Sequence, residues 1–188
     1  MKHQMGDIVD TETVFETQWF KVEAKAVLGE RSPYFSLTLP DYVAVLAITK
    51  KNKVLLVRQF RPVIERETLE LPSGHVEEGQ TPEEAAYLEL LEETGYEAKN
   101  LELMGVLAPD LGRLSNKLWC FFAAHVSKRE NVDTDAGIHL VQCNMLQLRD
   151  YLRKGELNHA QNLAALFLAQ QAGKISVMIG NKTQSSAN

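Results

Sequence analysis

A strand, a glycine-containing loop and a helix follow one another in mid-chain, and this unit constrains the fold more than any other segment. The segment Leu69–Pro72 is typical of a strand, and Gly74–Gly79 provides a tight loop after it. Thr81 is a suitable helix N-cap, and Glu84, three positions later, completes a capping box. Gly95 is a suitable left-handed residue at which the helix ends. The sequence therefore predicts a unit whose backbone can approach an ion or a phosphate closely.

One face of this helix is acidic. At about 100° per residue, Glu89, Glu92 and Glu93 share a side of the helix. Ala85 and Ala86 lie one turn earlier on that side, where small residues would let other backbone approach the carboxylates. The opposite side carries the apolar residues that we expect to anchor the helix by burial, namely Tyr87, Leu88, Leu90 and Leu91.

The acidic face has two interpretations. Charged helix faces are commonly solvated surfaces, and the helix alone does not distinguish that case from a functional site. Like charges one turn apart cost a helix roughly 0.2–0.5 kcal/mol, and the negative end of the helix dipole adds to this cost. A hard cation would offset the repulsion, because Mg²⁺ binds one or two carboxylates together with waters and substrate phosphates. The glycine loop before the helix favours the cation site.

The segment from Gly74 to Tyr96 resembles the Nudix box, Gly-x5-Glu-x7-Arg-Glu-U-x-Glu-Glu-x-Gly-U, where U is a bulky apolar residue. Gln80 and Leu88 replace the Glu and the Arg of the box, which in the family look like a structural ion pair. Because both charges are replaced together, neither is left unpaired, so we expect a somewhat looser loop and not the loss of the metal site. The matching positions are Gly74, Glu89, Leu90, Glu92, Glu93 and Gly95, with Tyr96 as a tolerable final U.

The resemblance implies a hydrolase that uses Mg²⁺, with Mn²⁺ as an alternative, to cleave the pyrophosphate of a nucleotide derivative. Glu89 and Glu93 would be metal ligands, with Glu92 as a further ligand or catalytic support. The carbonyl oxygen of Ser73 would add a backbone ligand. A metal-activated water would attack phosphorus, and stabilising the charge on the transferring group would be the main catalytic task.

The surrounding sequence is similar to the branch that cleaves ADP-ribose and nucleoside diphosphate sugars. It includes Val57–Pro62, Leu69–Gly74 and the C-terminal stretch Gly155–Ala169. The implied substrate contacts are Trp19, Arg61, Glu70, His75 and Arg113. Three of these have plainer interpretations: Trp19 as a core residue, and Arg61 and Arg113 as solvated surface charges.

The general base is the least determined part of the implied site. The branch carries an acidic loop before the last strand, and here that loop is Asn131–Ile138. Asp135 is the nearest candidate for a catalytic acid in it, although Ala136 and Gly137 stand where further acids are usual. Glu130, Asp133 or a box glutamate are the alternatives, and Asp is one methylene shorter than Glu.

The alternation of apolar runs and turn residues predicts an α+β fold, an α/β/α sandwich in which helices flank a mixed β-sheet. The resemblance makes this a Nudix fold with an N-terminal antiparallel extension over residues 1–40, a Nudix domain over 41–175 and a flexible tail over 176–188. Besides the central helix, the pattern predicts helices at Met145–Lys154 and Ala160–Gln171. The predicted strands are Trp19–Leu28, Tyr34–Leu39, Tyr42–Lys50, Val54–Arg61, Leu101–Ala108, Lys117–Val126 and Ile138–Cys143.

Charge and cysteine content limit the partners and the compartment. The net charge of −5 argues against nucleic-acid binding, which requires clustered Lys and Arg. No apolar run is long enough to span a bilayer, and the start of the chain has no signal-peptide core, so we expect a cytoplasmic protein that does not bind membranes. Cys120 and Cys143 lie in apolar runs and are expected to be core thiols. The resemblance also implies a homodimer in which the N-terminal segment contributes to the partner's site.

The leading function is hydrolysis of ADP-ribose or a related nucleoside diphosphate sugar to a nucleoside monophosphate and a sugar phosphate. A dinucleotide or a nucleoside triphosphate is the alternative substrate. A different class, a Nudix-fold protein that senses a nucleotide with little or no cleavage, is kept open by the thin loop at Asp133–Gly137 and by Gln80 and Leu88.

Overall fold

The computed structural model describes residues 5–176, which form two β-sheets and three helices. The predicted tail, 176–188, therefore lies outside the described residues except for Ser176. The first sheet is antiparallel and contains β1 (Ile8–Glu16), β2 (Lys21–Val27) and β3 (Tyr34–Thr38) in that order. Across residues 5–176, every helix is too short or too polar to cross a lipid bilayer.

The second sheet is mixed and has eight strands. Its central pair, β4 and β10, is parallel, whereas the other pairings are antiparallel. The strands are β4 (Tyr42–Thr49), β5 (Val54–Arg61), β6 (Arg66–Glu70), β7 (Ser73–His75), β8 (Tyr96–Glu97), β9 (Glu102–Leu107), β10 (Leu118–Lys128) and β11 (His139–Cys143). The helices are α1 (Pro82–Thr94), α2 (Met145–Lys154) and α3 (Ala160–Gln171).

Helices cover both faces of the mixed sheet. Alternate side chains of β4 enter two separate cores, as the two-residue period of a strand requires. Ala44 and Leu46 pack with α2 and α3, whereas Val43, Val45 and Ala47 pack with α1. The predicted α/β/α arrangement with a mixed sheet is thus confirmed.

Each predicted strand has a counterpart within two residues at either end, but several strands were missed. The longest is β1, all of whose residues are exposed, so its sequence lacks the alternation of buried and exposed positions that indicates a strand. The others are β7 and the two-residue β8, which lie close to the glycine loop or to helix α1. The strand expected at Leu69–Pro72 overlaps β6 only at Leu69 and Glu70, because β6 begins earlier, at Arg66. An isolated parallel bridge between Leu37 and Leu114 joins β3 to the loop before β10.

Candidate active site

Helix α1 begins and ends where the sequence predicts. The Thr81 hydroxyl accepts a hydrogen bond from the Glu84 backbone N–H at 3.2 Å, and the Glu84 carboxylate accepts one from the Thr81 N–H at 2.8 Å. Gly95 ends the helix in the left-handed region, at φ 71°. This capping fixes the rotation of the helix and therefore the direction in which its acidic side chains point.

The predicted anchoring face of α1 was partly wrong. Leu90 is fully buried, but Tyr87, Leu88 and Leu91 are only half-buried, and Ala85 and Ala86 lie in the core instead. The small alanine side chains let the helix approach β4 closely, and the helix is rotated so that part of its acidic face turns inward. Burial of Glu93 is the consequence.

Glu93 is an almost completely buried acid, with 4% of its surface exposed. Its carboxylate accepts a hydrogen bond from the Ser73 backbone N–H at 2.8 Å. Burial raises the pKa of Glu93 to about 8, although the hydrogen bond from Ser73 acts to lower it. The neighbouring charge of Glu89 adds to the rise. The group is therefore costly to ionise without a cation.

Glu89 lies directly against Gly74. A Cβ atom built on Gly74 would stand 1.9 Å from the Glu89 Oε1 atom, so a larger residue here would displace this carboxylate. Burial raises the pKa of Glu89 to about 7, with further contributions from Glu92, Asp135 and Glu77. The first glycine of the motif is thus explained by the close approach of the Glu89 carboxylate to the strand.

The acids have the chemistry of a hard-cation site, but they do not form a closed cage. Within residues 5–176, no group of three or more His, Cys, Asp or Glu side chains is arranged to hold a metal ion. Glu92 is exposed, whereas Glu89 and Glu93 are at least partly buried and have no ion-pair partner among the described residues. Mg²⁺ commonly takes only one or two carboxylates and completes its shell with water and phosphate. The residues present fit such an ion.

Asp135, the candidate general base, lies in the loop between β10 and β11, next to the last turn of α1. The Asp135 N–H donates to the Glu92 carbonyl oxygen at 3.0 Å, which fixes its loop against the last turn of the helix. Asp135 is exposed, and its charge is close enough to contribute to the raised pKa of Glu89. The structure thus brings Asp135 to the acidic helix face.

A cleft of about 550 Å³ is lined by Arg61, Glu70 and His75. The glutamates of α1 do not line it, but the charges of Arg61 and Glu70 are close enough to affect the pKa of Glu93. Arg61 donates through Nε and Nη2 to the two carboxylate oxygens of Glu70, at 2.8 and 2.7 Å. The Thr68 hydroxyl donates to the same carboxylate at 2.5 Å. Burial alone would raise the pKa of Glu70, but the hydrogen bonds from Arg61 and Thr68 hold it below its usual value. Glu70 is therefore ionised and keeps the guanidinium in place.

Tyr42 connects the cleft to the acidic helix. Its hydroxyl lies 3.2 Å from the Ser73 Oγ, and the backbone N–H of Ser73 binds Glu93. The ring of His75 packs edge-on against Tyr42, with the centroids 5.3 Å apart. Tyr42 and the buried Ser73 therefore link the cleft to the carboxylate of Glu93.

Two predicted substrate contacts lie elsewhere in the chain. Trp19 is 65% exposed in the turn between β1 and β2, and it does not line the cleft. Arg113 is also exposed, and its guanidinium carbon lies 4.5 Å from the ring centroid of Tyr34 on β3. The core interpretation of Trp19 is thus wrong, and neither side chain meets the acids within one chain.

Several residues of the cleft had no sequence signal. They are Tyr42, Thr68, Asn116, His159 and Gln161. Each belongs to a strand, a loop or a helix start whose local sequence is ordinary, and only the fold brings them together. A helix beginning at Ala160 could have drawn attention to the residues around it, because helix N-termini often face ligands.

The two departures from the box lie together on the outer side of α1. The Gln80 Oε1 atom accepts a hydrogen bond from the Glu77 N–H at 3.1 Å, so the side chain closes its own loop. Leu88 is half-buried, and both residues line a surface groove. The neutral pair is accommodated without a buried charge.

Comparison with known proteins agrees with this geometry. The sequence model of the NUDIX domain matches residues 38–167, and the chain therefore belongs to the Nudix family. A solved structure described as an ADP compounds hydrolase superposes with a TM-score of 0.77 at 25% identity, covering 93% of this chain and all of the other. The predicted Nudix fold is confirmed, and the protein is a Nudix hydrolase.

Two relatives extend the similarity. The ADP-ribose pyrophosphatase of Bacillus subtilis is 32% identical over 130 residues, which is 68% of this chain and 70% of that protein. The methanol dehydrogenase activator of Bacillus methanolicus is 29% identical over 164 residues, which is 84% of this chain and 89% of that protein.

Proposed function

We propose that the protein hydrolyses the pyrophosphate bond of ADP-ribose or a related nucleoside diphosphate sugar, giving a nucleoside monophosphate and a sugar phosphate. The observation that carries this proposal is the pair Glu89 and Glu93, inward-turned acids without an ion-pair partner among residues 5–176. The cleft that contains Arg61 and Glu70, whose charges affect Glu93, supports it. The names of the relatives, an ADP-ribose pyrophosphatase and an ADP compounds hydrolase, support the substrate class.

We propose Mg²⁺ as the cofactor, with Mn²⁺ as the alternative. Glu89, Glu93 and the Ser73 carbonyl would hold it, and Glu92 would be a further ligand or a catalytic support. A divalent ion bound there supplies Lewis-acid polarisation of a phosphoryl oxygen and a water of lowered pKa. The raised pKa values of Glu89 and Glu93 support this assignment, since a cation would offset the cost of ionising them.

The chain's own residues would position the substrate and move the proton. Arg61 uses two of its donor atoms on Glu70, and its remaining N–H groups are proposed to bind the diphosphate. His75 would line the cleft beside them. Asp135 is the proposed base that takes the proton of the attacking water, supported by its place next to the end of α1.

The proposed assembly is a homodimer formed through the N-terminal extension, residues 1–40, next to the proposed Nudix domain, residues 41–175. Strands β1, β2 and β3 form the N-terminal sheet of this extension. Large apolar side chains stay exposed on this sheet, among them Ile8, Phe15 and Phe35. A second copy would cover them, and Trp19 and Arg113 would then contact the substrate in the partner's cleft or beside it.

The proposed compartment is the cytoplasm. Cys120 and Cys143 are both buried free thiols, and burial raises the pKa of each to about 11. Such thiols are unreactive core residues, as expected for a protein of a reducing compartment.

A substrate panel tests the proposed reaction. Purified protein is incubated with ADP-ribose, ADP-glucose, a dinucleoside diphosphate and ATP, with and without Mg²⁺, and released monophosphate is measured. We expect Mg²⁺-dependent release of AMP from the two ADP-sugars, faster than from the other compounds. Release only from ATP or the dinucleotide would contradict the substrate class, and no release would contradict the enzymatic proposal.

A second candidate is nucleotide sensing with little turnover. It is favoured by the loop after β10, where Asp135 is a short acid flanked by Ala136 and Gly137. In that case the panel would show tight binding of an ADP compound with no release of monophosphate.

A further inference from the structure

Tyr42 lines the cleft but has no part in the proposed reaction. It is the first residue of β4, and its backbone is fixed on two sides, because it pairs with His75 on β7 and with Leu118 on β10. Its ring packs edge-on against that of His75 and lines the same cleft as Arg61. Backbone and ring together therefore hold the phenol hydroxyl in a defined place.

The Tyr42 hydroxyl is bonded to the strand that carries a proposed metal ligand. Its oxygen lies 3.2 Å from the Ser73 Oγ atom. Ser73 is 4% exposed, and a buried hydroxyl of this kind needs a hydrogen-bond partner. The backbone of Ser73 pairs with Ala44 and donates its N–H to Glu93, and its carbonyl oxygen is the proposed ligand of the ion. The hydroxyl pair therefore ties this backbone to the Tyr42 side chain.

The Arg61 guanidinium acts on the same hydroxyl. Burial raises the pKa of Tyr42, whereas the Ser73 hydroxyl and the Arg61 guanidinium act to lower it. The phenol is therefore neutral at pH 7, with one proton to donate. Because a guanidinium has only donors, the phenol oxygen turns its lone pairs towards Arg61 and its proton towards the Ser73 Oγ atom. This directionality orders the three groups from Arg61 through Tyr42 to Ser73.

Both ends of this array are anchored by acids. Glu70 holds Arg61 through two hydrogen bonds, and Glu93 accepts one from the Ser73 N–H. Each end would therefore keep its own anchor without Tyr42, and what the phenol hydroxyl adds is the connection between them. A hydroxyl that joins two separately anchored groups acts on their relative position more than on either group alone.

We propose that Tyr42 is a positioning residue whose hydroxyl sets the Ser73 backbone relative to the Arg61 guanidinium, so that the ion and the diphosphate are held at a matching distance. This inference rests on the proposed function, since it concerns the same site. The hydroxyl should contribute little when the diphosphate binds alone, because Glu70 still fixes Arg61, and more when the ion is bound as well.

A double-mutant cycle on ligand binding tests this role without turnover. The affinity for uncleavable α,β-methylene ADP-ribose is measured by calorimetry, in Mg²⁺ and in a chelator, for wild type, Tyr42→Phe, Ser73→Ala and the double variant. We expect each single substitution to weaken binding about 5-fold in Mg²⁺ and less than about 2-fold in the chelator. Since the two hydroxyls act as one unit, the double variant should be within about 2-fold of either single variant.

The matched control is Tyr151→Phe, the same change at a half-buried tyrosine on α2. It should leave both affinities unchanged. Equal weakening with and without Mg²⁺, losses that add in the double variant, or a wild type that binds no more tightly in Mg²⁺ would overturn the positioning role. Ser73→Ala decides the question if Tyr42→Phe does not fold.

The two proposals fail separately in this design, because the analogue is not cleaved. Hydrolysis of ADP-ribose by a protein whose Mg²⁺-dependent binding is unchanged in both single variants contradicts the positioning role alone. The expected pattern of affinities in a protein that releases no monophosphate contradicts the proposed function alone.

Discussion

At the scale of single residues, Glu93 shows how stability and function oppose each other. It is nearly buried, accepts one hydrogen bond from Ser73 and is next to another acid, Glu89. At a pH above 8, where Glu93 is ionised, a neutral side chain of the same shape would cost the metal-free fold less, because it keeps the hydrogen bond and removes the charge. A buried acid whose pKa is raised in this way is typical of a functional site.

We predict that Glu93→Gln lowers kcat at least about 100-fold and leaves the fold intact, because a neutral amide is a poor ligand for a hard cation. At pH 8.5 the metal-free variant should be more stable than the wild type by at least about 1 kcal/mol, since each unit of pKa shift corresponds to about 1.4 kcal/mol. Urea unfolding in a chelator measures this difference. Turnover near that of wild type would refute the assigned role.

The metal-free protein should lose stability as the pH rises. The folded-state pKa values of Glu89 and Glu93, about 7 and about 8, exceed the ordinary value of 4.5, so the native state holds more protons than the unfolded state over this window. Their contribution is full below about pH 4.5 and is lost as the pH passes 7 and 8. The difference in unfolding free energy between wild type and Glu93→Gln, followed from pH 5 to 9, isolates the effect. A difference that does not change with pH would contradict it.

A side chain at Gly74 would displace the Glu89 carboxylate, which lies directly against this glycine. Gly74→Ala would place a Cβ atom on the Glu89 carboxylate, and we expect loss of about 100-fold in kcat/KM as the ligand is displaced. Gly105→Ala on β9 is the control, because its Cβ would meet only the movable Leu168 side chain at 3.1 Å. If both variants retained equal activity, the placement of Glu89 would not matter for catalysis.

At the scale of elements, two helices with the same type of cap allow a matched comparison. Thr81 caps α1 and Asn144 caps α2, each within a capping box. Thr81→Ala and Asn144→Ala should each lower the free energy of unfolding by about 1 kcal/mol. Only Thr81→Ala should also lower kcat, because α1 carries the acids. Steady-state kinetics at a temperature where both variants are folded checks this, and equal kinetic losses would contradict it.

The elements also show what the sequence could predict. The bounds of α1 were predictable because capping residues act locally, through bonds within four positions of each other. Its buried face was not, because Ala85 and Ala86 are buried by the close approach of β4, which is a tertiary effect. The strand β1 was missed for a related reason, since a fully exposed strand has no periodic burial to detect.

At the scale of the whole molecule, the site divides into a part that was predictable and a part that was not. Glu89, Glu92 and Glu93 belong to one helix, so their spacing alone gave the acidic face. Asn116 and Gln161 are distant in sequence, and only the packing of α3 on the sheet places them around one cavity. Such pairs carry no local pattern.

The proposed dimer gives a prediction at the same scale. Phe15 on β1 is 55% exposed, and Phe15→Lys should convert a dimer into a monomer in light-scattering measurements at micromolar concentration. Phe167→Lys on α3 is the control, because this side chain is 51% exposed outside the N-terminal sheet. A monomeric wild-type protein, or dissociation of both variants alike, would contradict an interface on this sheet.

The alternation of side chains along β4 has a consequence for how such an enzyme can change. The acidic helix and α3 are supported from opposite faces of β4, α1 by Val43 and Val45 and α3 by Ala44 and Leu46. Substitutions confined to one face are therefore expected to have energetic effects that add to those on the other face. The residues behind α3 can vary with little effect on the packing of the helix that carries the glutamates.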